Sequence, residues 1–124
     1  MSAAFTQHQG KELLVLDFSH LKDVDDGLEA IAEAQKFVAN LAAQPGAKLS
    51  LLTLTDVTES PFDARVIEAL KEFAVHNRPY VRAGAVLGLT PIKRVIHRLV
   101  LMFSKRNIAS FDTREQALDW LVRQ

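Results

Sequence analysis

Cysteine is absent from the chain. That excludes disulfides, a thiol nucleophile and a thiolate zinc site, and it fits a reducing compartment. Long apolar runs are missing as well. The longest, Leu99-Val100-Leu101-Met102-Phe103, falls far short of the roughly 20 residues that a membrane-spanning helix needs. Residues Met1 to Glu12 are polar and hold no apolar stretch of the signal-peptide kind. A cytoplasmic protein is therefore expected, either free or peripheral to a membrane. Catalytic signatures are missing too. His8, His20, His76 and His97 show no metal-ligand spacing such as H-E-x-x-H, so no metal site is expected. There is no G-x-S-x-G elbow, no G-x-x-x-x-G-K-[ST] loop and no G-x-G-x-x-G turn. The sequence reads as non-enzymatic, with no cofactor.

What is present is a core. Hydrophobic residues make up 48% of 124 residues, enough for one folded domain over 1–124. Short apolar runs read as strands at Leu13–Phe18, Leu49–Asp56, Tyr80–Leu87 and Ile108–Phe111. Phe5–Gln7, just before Gln9-Gly10, adds a short antiparallel edge strand. Between the strands lie helical patterns. Leu28, Ile31, Ala34, Val38 and Leu41 share one face of a helix over Asp26–Ala43, with Asp26 and Glu29 as a capping-box start. Ser60-Pro61 starts a second helix, Thr90-Pro91 a third and Thr113 a fourth, each by the cap-and-first-turn grammar. Ala117, Leu118, Trp120 and Leu121 pack the last helix down. Strand–helix alternation predicts an α/β fold: a single domain with a four-stranded, mainly parallel sheet, the extra edge strand, and helices on both faces.

Charge sums to zero but is unevenly placed. Residues 1–77 hold six basic and twelve acidic side chains, whereas 78–107 hold seven basic and none acidic. Such a block points either to an anionic partner or to a solvated face. In the third helix it falls on Lys93, Arg94, Arg98, Lys105 and Arg106, while Leu101 and Met102 widen the apolar side. A basic amphipathic helix of this kind suits an anionic membrane surface or a partner surface, such as a homodimer contact. Nucleic acid is disfavoured, because Tyr80 and Phe103 are the aromatics of this stretch available for stacking.

Open α/β sheets bind ligands at the carboxyl ends of their strands. Ser19, His20, Asp56, Thr58 and Thr90 all follow strands, and Lys93 lies one turn further on. These six are the candidate ligand-binding residues. A Ser19–His20–Asp56 triad is disfavoured, and Thr90 reads more simply as a helix cap than as part of a phosphate loop. A receiver-domain reading fails as well, because Asp56 is counted as a single acidic strand end and no matching lysine follows.

The stretches Leu51–Thr58, Phe62-Asp63, Val66–Phe73, His76–Ala83, Ala85–Gly88, Phe111–Thr113, Glu115, Ala117 and Trp120-Leu121 resemble the SpoIIAA-like group of bacterial domains, also described as STAS/SEC14-like. The resemblance implies the fold of anti-sigma-factor antagonists, similarity to lipid-binding SEC14-type domains, and no established enzyme activity. The regulatory branch uses a phosphorylatable serine before a glycine at a helix start. Here Asp26 precedes Gly27, and an aspartate cannot accept that phosphate. The expectation is a regulatory or ligand-binding domain for an apolar or lipid-like anionic small molecule, with membrane contact through the third helix. The alternative is a protein–protein interaction module, either a homodimer or an antagonist-like regulator.

Overall fold

The computed structural model describes residues 2–46, 50–91, 93, 94, 98 and 107–124. Five strands form one sheet: β1 (Ser2–His8), β2 (Lys11–Asp17), β3 (Leu51–Asp56), β4 (Val81–Leu87) and β5 (Ile108–Phe111). They lie side by side in chain order, with β1 antiparallel to β2 and every other neighbour parallel. This is the expected mainly parallel sheet with its antiparallel edge, though that edge is longer than Phe5–Gln7. It pairs with β2 from Ser2↔Asp17 to His8↔Lys11.

Three helices are described over their full length: α1 (Val24–Ala42), α2 (Ala64–Asn77) and α3 (Arg114–Val122). Two of the expected starts move. α1 is capped by Asp23, whose side chain accepts from the Asp26 N–H, so Asp26 lies inside the first turn. α2 begins three residues beyond Pro61, capped by Asp63, which accepts from the N–H groups of Arg65 and Val66 at 2.9 and 3.1 Å. Ser60 is buried instead. Its hydroxyl donates to the Phe18 carbonyl and accepts from the Leu21 N–H at 3.1 Å. A side chain spent on joining two loops is not free to cap a helix. The cap of α3 is as expected, with Thr113 accepting from Gln116.

The sheet is sandwiched between two apolar layers. Leu14, Leu16 and Phe18 face α1 and α2, where they meet Ile31, Val38, Val66 and Phe73. Leu13, Leu52, Leu54 and Ala85 face α3, where they meet Ala117 and Leu121. Leu121 is fully buried, while Trp120 is half-buried, its ring 5.5 Å from that of Phe111 and tilted to it. Of the expected third helix, Pro91, Lys93, Arg94 and Arg98 have helical backbone. Lys93 N–H bonds the Thr90 hydroxyl at 3.3 Å, which makes Thr90 the cap it was expected to be. Leu101, Met102, Lys105 and Arg106 lie outside the described residues.

Gly88, which follows β4, is held at φ +86°, and a Cβ there would stand 2.5 Å from the Thr58 Cα. Gly10 in the β1–β2 turn has φ +80° with nothing within 4 Å. Gly10→Ala should therefore cost only the left-handed backbone penalty, about 1 kcal/mol. Gly88→Ala adds a backbone collision and should cost about 3 kcal/mol or more. Urea unfolding of the two variants checks the difference, and equal midpoints would refute the close approach.

Candidate functional site

The ends of β2 and β3 repeat one local device. Asp17 and Asp56 are register partners on adjacent parallel strands. Each carboxylate folds back on the residue two positions on. Asp17 Oδ1 accepts from Ser19 N–H at 2.9 Å and from its hydroxyl. Asp56 Oδ1 accepts from Thr58 N–H at 3.0 Å and from its hydroxyl at 2.6 Å. Such turns let the chain leave a strand without orphaned backbone donors. The residue after each turn takes a positive φ, +55° at His20 and +52° at Glu59. His20 Nδ1 then meets Glu59 Oε2 at 3.1 Å in an exposed pair. The backbones are tied as well, with Phe18 N–H donating to Asp56 O and His20 N–H to Thr58 O, both at 2.8 Å.

Ser19, His20, Asp56 and Thr58 thus do meet at the carboxyl edge, and Thr58 also lies against Gly88. Their polar groups are largely engaged in the turns themselves. Asp17 belongs with them, a second acidic strand end beside the one counted in the sequence at Asp56. The signal was in the sequence, because Asp17-Phe18-Ser19 and Asp56-Val57-Thr58 share the D-x-[ST] pattern. The Ser19 hydroxyl bond, then the Ser19 N–H bond, holds the Asp17 carboxyl below its ordinary range. Asp26, the position the resemblance matches to a phosphorylatable serine, sits half-buried in the first turn of α1.

A cavity of about 80 Å³ lies elsewhere, between the sheet and α2. Its floor is a row of residues on β3, β4 and β5, including Thr53, Thr55, Val86 and Ile108. Gly84 adds no side chain to that floor, which leaves room above it. Phe62, Leu70 and Phe73 form a wall, with Leu89 and Lys93 at one end. Of the six residues expected to bind a ligand, Lys93 is the one among the described lining. Its ammonium stands 4.5 Å from the centre of the Phe62 ring and donates to the Ser60 carbonyl. Burial against this apolar wall pushes the lysine pKa down. Among the described residues no carboxylate pairs with it. Sequence reasoning did not foresee the cavity, because its lining comes from residues that read as ordinary core.

The basic block does not form one patch among the described residues. Arg82 lies near the start of β4, whereas Lys93 and Arg94 lie beyond its end. Arg94 pairs with Asp112, and Arg98 is exposed. No described helix is long and apolar enough to cross a membrane. No group of three or more potential metal ligands is found among the described residues.

A solved structure has the same architecture. An uncharacterized protein of the DUF3478 family from Shewanella loihica PV-4, whose crystal structure has a SpoIIAA-like fold, superposes with a TM-score of 0.68. The match covers 97% of this chain and 92% of that one at 17% sequence identity. The chain has a SpoIIAA-like fold. No family model and no curated protein sequence matches it. In this SpoIIAA-like domain the ends of β2 and β3 are hydrogen-bonded turns, and the described cavity lies beneath α2 instead.

The Asp17 turn yields a pH test. A carboxyl whose folded pKa lies below its unfolded value of about 3.9 stabilises the fold above that pH. That contribution is lost as pH falls through the folded pKa. Ser19→Ala should raise the Asp17 pKa toward the ordinary value, read from its side-chain carbon shift. The variant should be less stable than the parent at neutral pH, and the gap should close in acid. A gap that is constant with pH would show that the hydroxyl does not act through the carboxylate.

Proposed function

We propose that this domain is a non-enzymatic ligand-binding module whose cavity takes the apolar end of a small anionic molecule. The observation that carries the reading is the Lys93 ammonium at the end of an apolar cavity, with a carbonyl and a ring face as its described partners. A cation beside apolar walls has lost hydration without gaining a counter-charge. A carboxylate or phosphate placed there restores it. The cavity is smaller than the roughly 300–1,000 Å³ of typical small-molecule pockets. It therefore suits a short aliphatic group or the end of a chain, and a whole lipid would need the cavity to widen. The SpoIIAA-like fold, shared with regulatory proteins in the resemblance drawn above, agrees with a sensing role.

Hexanoate and hexanol separate the two parts of this reading. Hexanoate should perturb the amide signals of Thr53, Val86 and Ile108, and Lys93→Gln should weaken its binding about tenfold, equivalent to about 1.4 kcal/mol. Hexanol should bind equally to parent and variant. Because the anion favours the charged lysine, hexanoate affinity should fall as pH rises above the Lys93 pKa of the free protein and level off above that of the complex. Absence of any perturbation by either compound would end the proposal.

A second reading is peripheral contact with an anionic membrane surface. The exposed Arg98 and the acid-free stretch of residues 78–107 favour it. Each cation near such a surface contributes about 1 kcal/mol, weakened by salt. Co-sedimentation with anionic vesicles should then fall with added salt and be reduced by Arg98→Glu. No binding at low salt would exclude this reading.

A further inference from the structure

The two edges of the sheet are built differently. β5 is four residues long and ends against Asp112, so little of it is open to pairing. β1 runs for seven residues, Ser-Ala-Ala-Phe-Thr-Gln-His, with no proline, lysine or carboxylate. Its register with β2 is unbroken from end to end, so no bulge twists the edge away. Natural edge strands are protected by shortness, charge, proline or a bulge, and β1 has none of these from Ser2 to Gln7; at its end His8 is turned to Asp119 on α3, 2.8 Å away. It also carries Phe5, one of the two large apolar side chains exposed among the described residues. The Phe5 ring is 42% exposed and lies 6.4 Å from that of Phe37 on α1, so the aromatic surface continues from the edge onto the helix.

We infer that β1 pairs with β1 of a second copy of this chain, antiparallel about a two-fold axis through Phe5, joining two sheets into one. The strand is complementary to itself in this arrangement. Phe5 faces Phe5, Ala4 faces Thr6, Ala3 faces Gln7 and Ser2 faces His8, so no two like charges are set opposite each other. The exposed Phe5 ring gains a partner on the same face, with the Phe37 ring of each copy beside it. An isologous contact of this kind closes at two chains and leaves no further edge of the same type. A different strand would have to supply its own uncharged, aromatic-centred edge, whereas the second copy already has one. The contact is remote from Lys93, so it stands or falls separately from ligand binding.

Light scattering and sedimentation of the intact chain at micromolar concentration should give twice the 13.8 kDa of one chain. Phe5→Lys sets two like charges on the axis and should reduce the mass to one chain. Unchanged far-UV circular dichroism would confirm that the variant is folded. The absence of native cysteine makes a second variant unambiguous. Phe5→Cys should form a covalent dimer on mild oxidation, and Val75→Cys, equally exposed on α2, should not. A monomeric parent would overturn the inference. So would a dimer untouched by Phe5→Lys and not cross-linked through Phe5→Cys, which would place the contact elsewhere, such as the basic segment.

Discussion

Leu13 and Leu14 are neighbours on one strand, so they point to opposite faces of the sheet, and both are fully buried. A strand with two dry faces requires cover on both sides. That requirement organises the rest of the molecule. α1 and α2 close one face over Leu14 and Leu16, and α3 closes the other over Leu13 and Leu54. Parallel pairing follows from the same need, because each crossover carries a helix onto a face.

Packing three parallel strands this closely brings their exits together, and the exits are secured by polar groups. The paired Asp17 and Asp56 turns release β2 and β3 in the same direction. Ser60 then joins the two loops through Phe18 and Leu21. Gly88 lets the exit of β4 press against Thr58. Side chains that looked like a ligand cradle are therefore occupied in shaping turns. A group already bonded to its own backbone has less to offer a ligand.

The same row of strands leaves space where its residues are small. Thr53 and Gly84 sit side by side on the α2 face. Phe62 and Phe73 stand over them without filling the gap, and Lys93 brings a charge to its end. The lining is thus apolar on one flank and carries a cation at its end, with no carboxylate beside that cation among the described residues. That combination separates this cavity from a simple packing defect, which would be apolar throughout.

Local pattern determined much of this protein. Apolar runs marked the strands, periodic stripes marked α1 and α2, and Thr113 marked the start of α3, because each depends on residues a few positions apart. The strand–helix alternation was enough for the parallel sheet with helices on both faces. Tertiary structure decided what local pattern left open. Ser60 had the grammar of a cap, but Phe18, 42 residues away, claims its hydroxyl and moves the helix start to Asp63. The basic stretch was continuous in sequence, yet the length of β4 separates Arg82 from Lys93. The cavity is lined by side chains from β3, β4, β5 and α2 that share no sequence pattern. Their common feature is proximity in space, and proximity across a sheet is fixed by strand order and register rather than by neighbours in the chain.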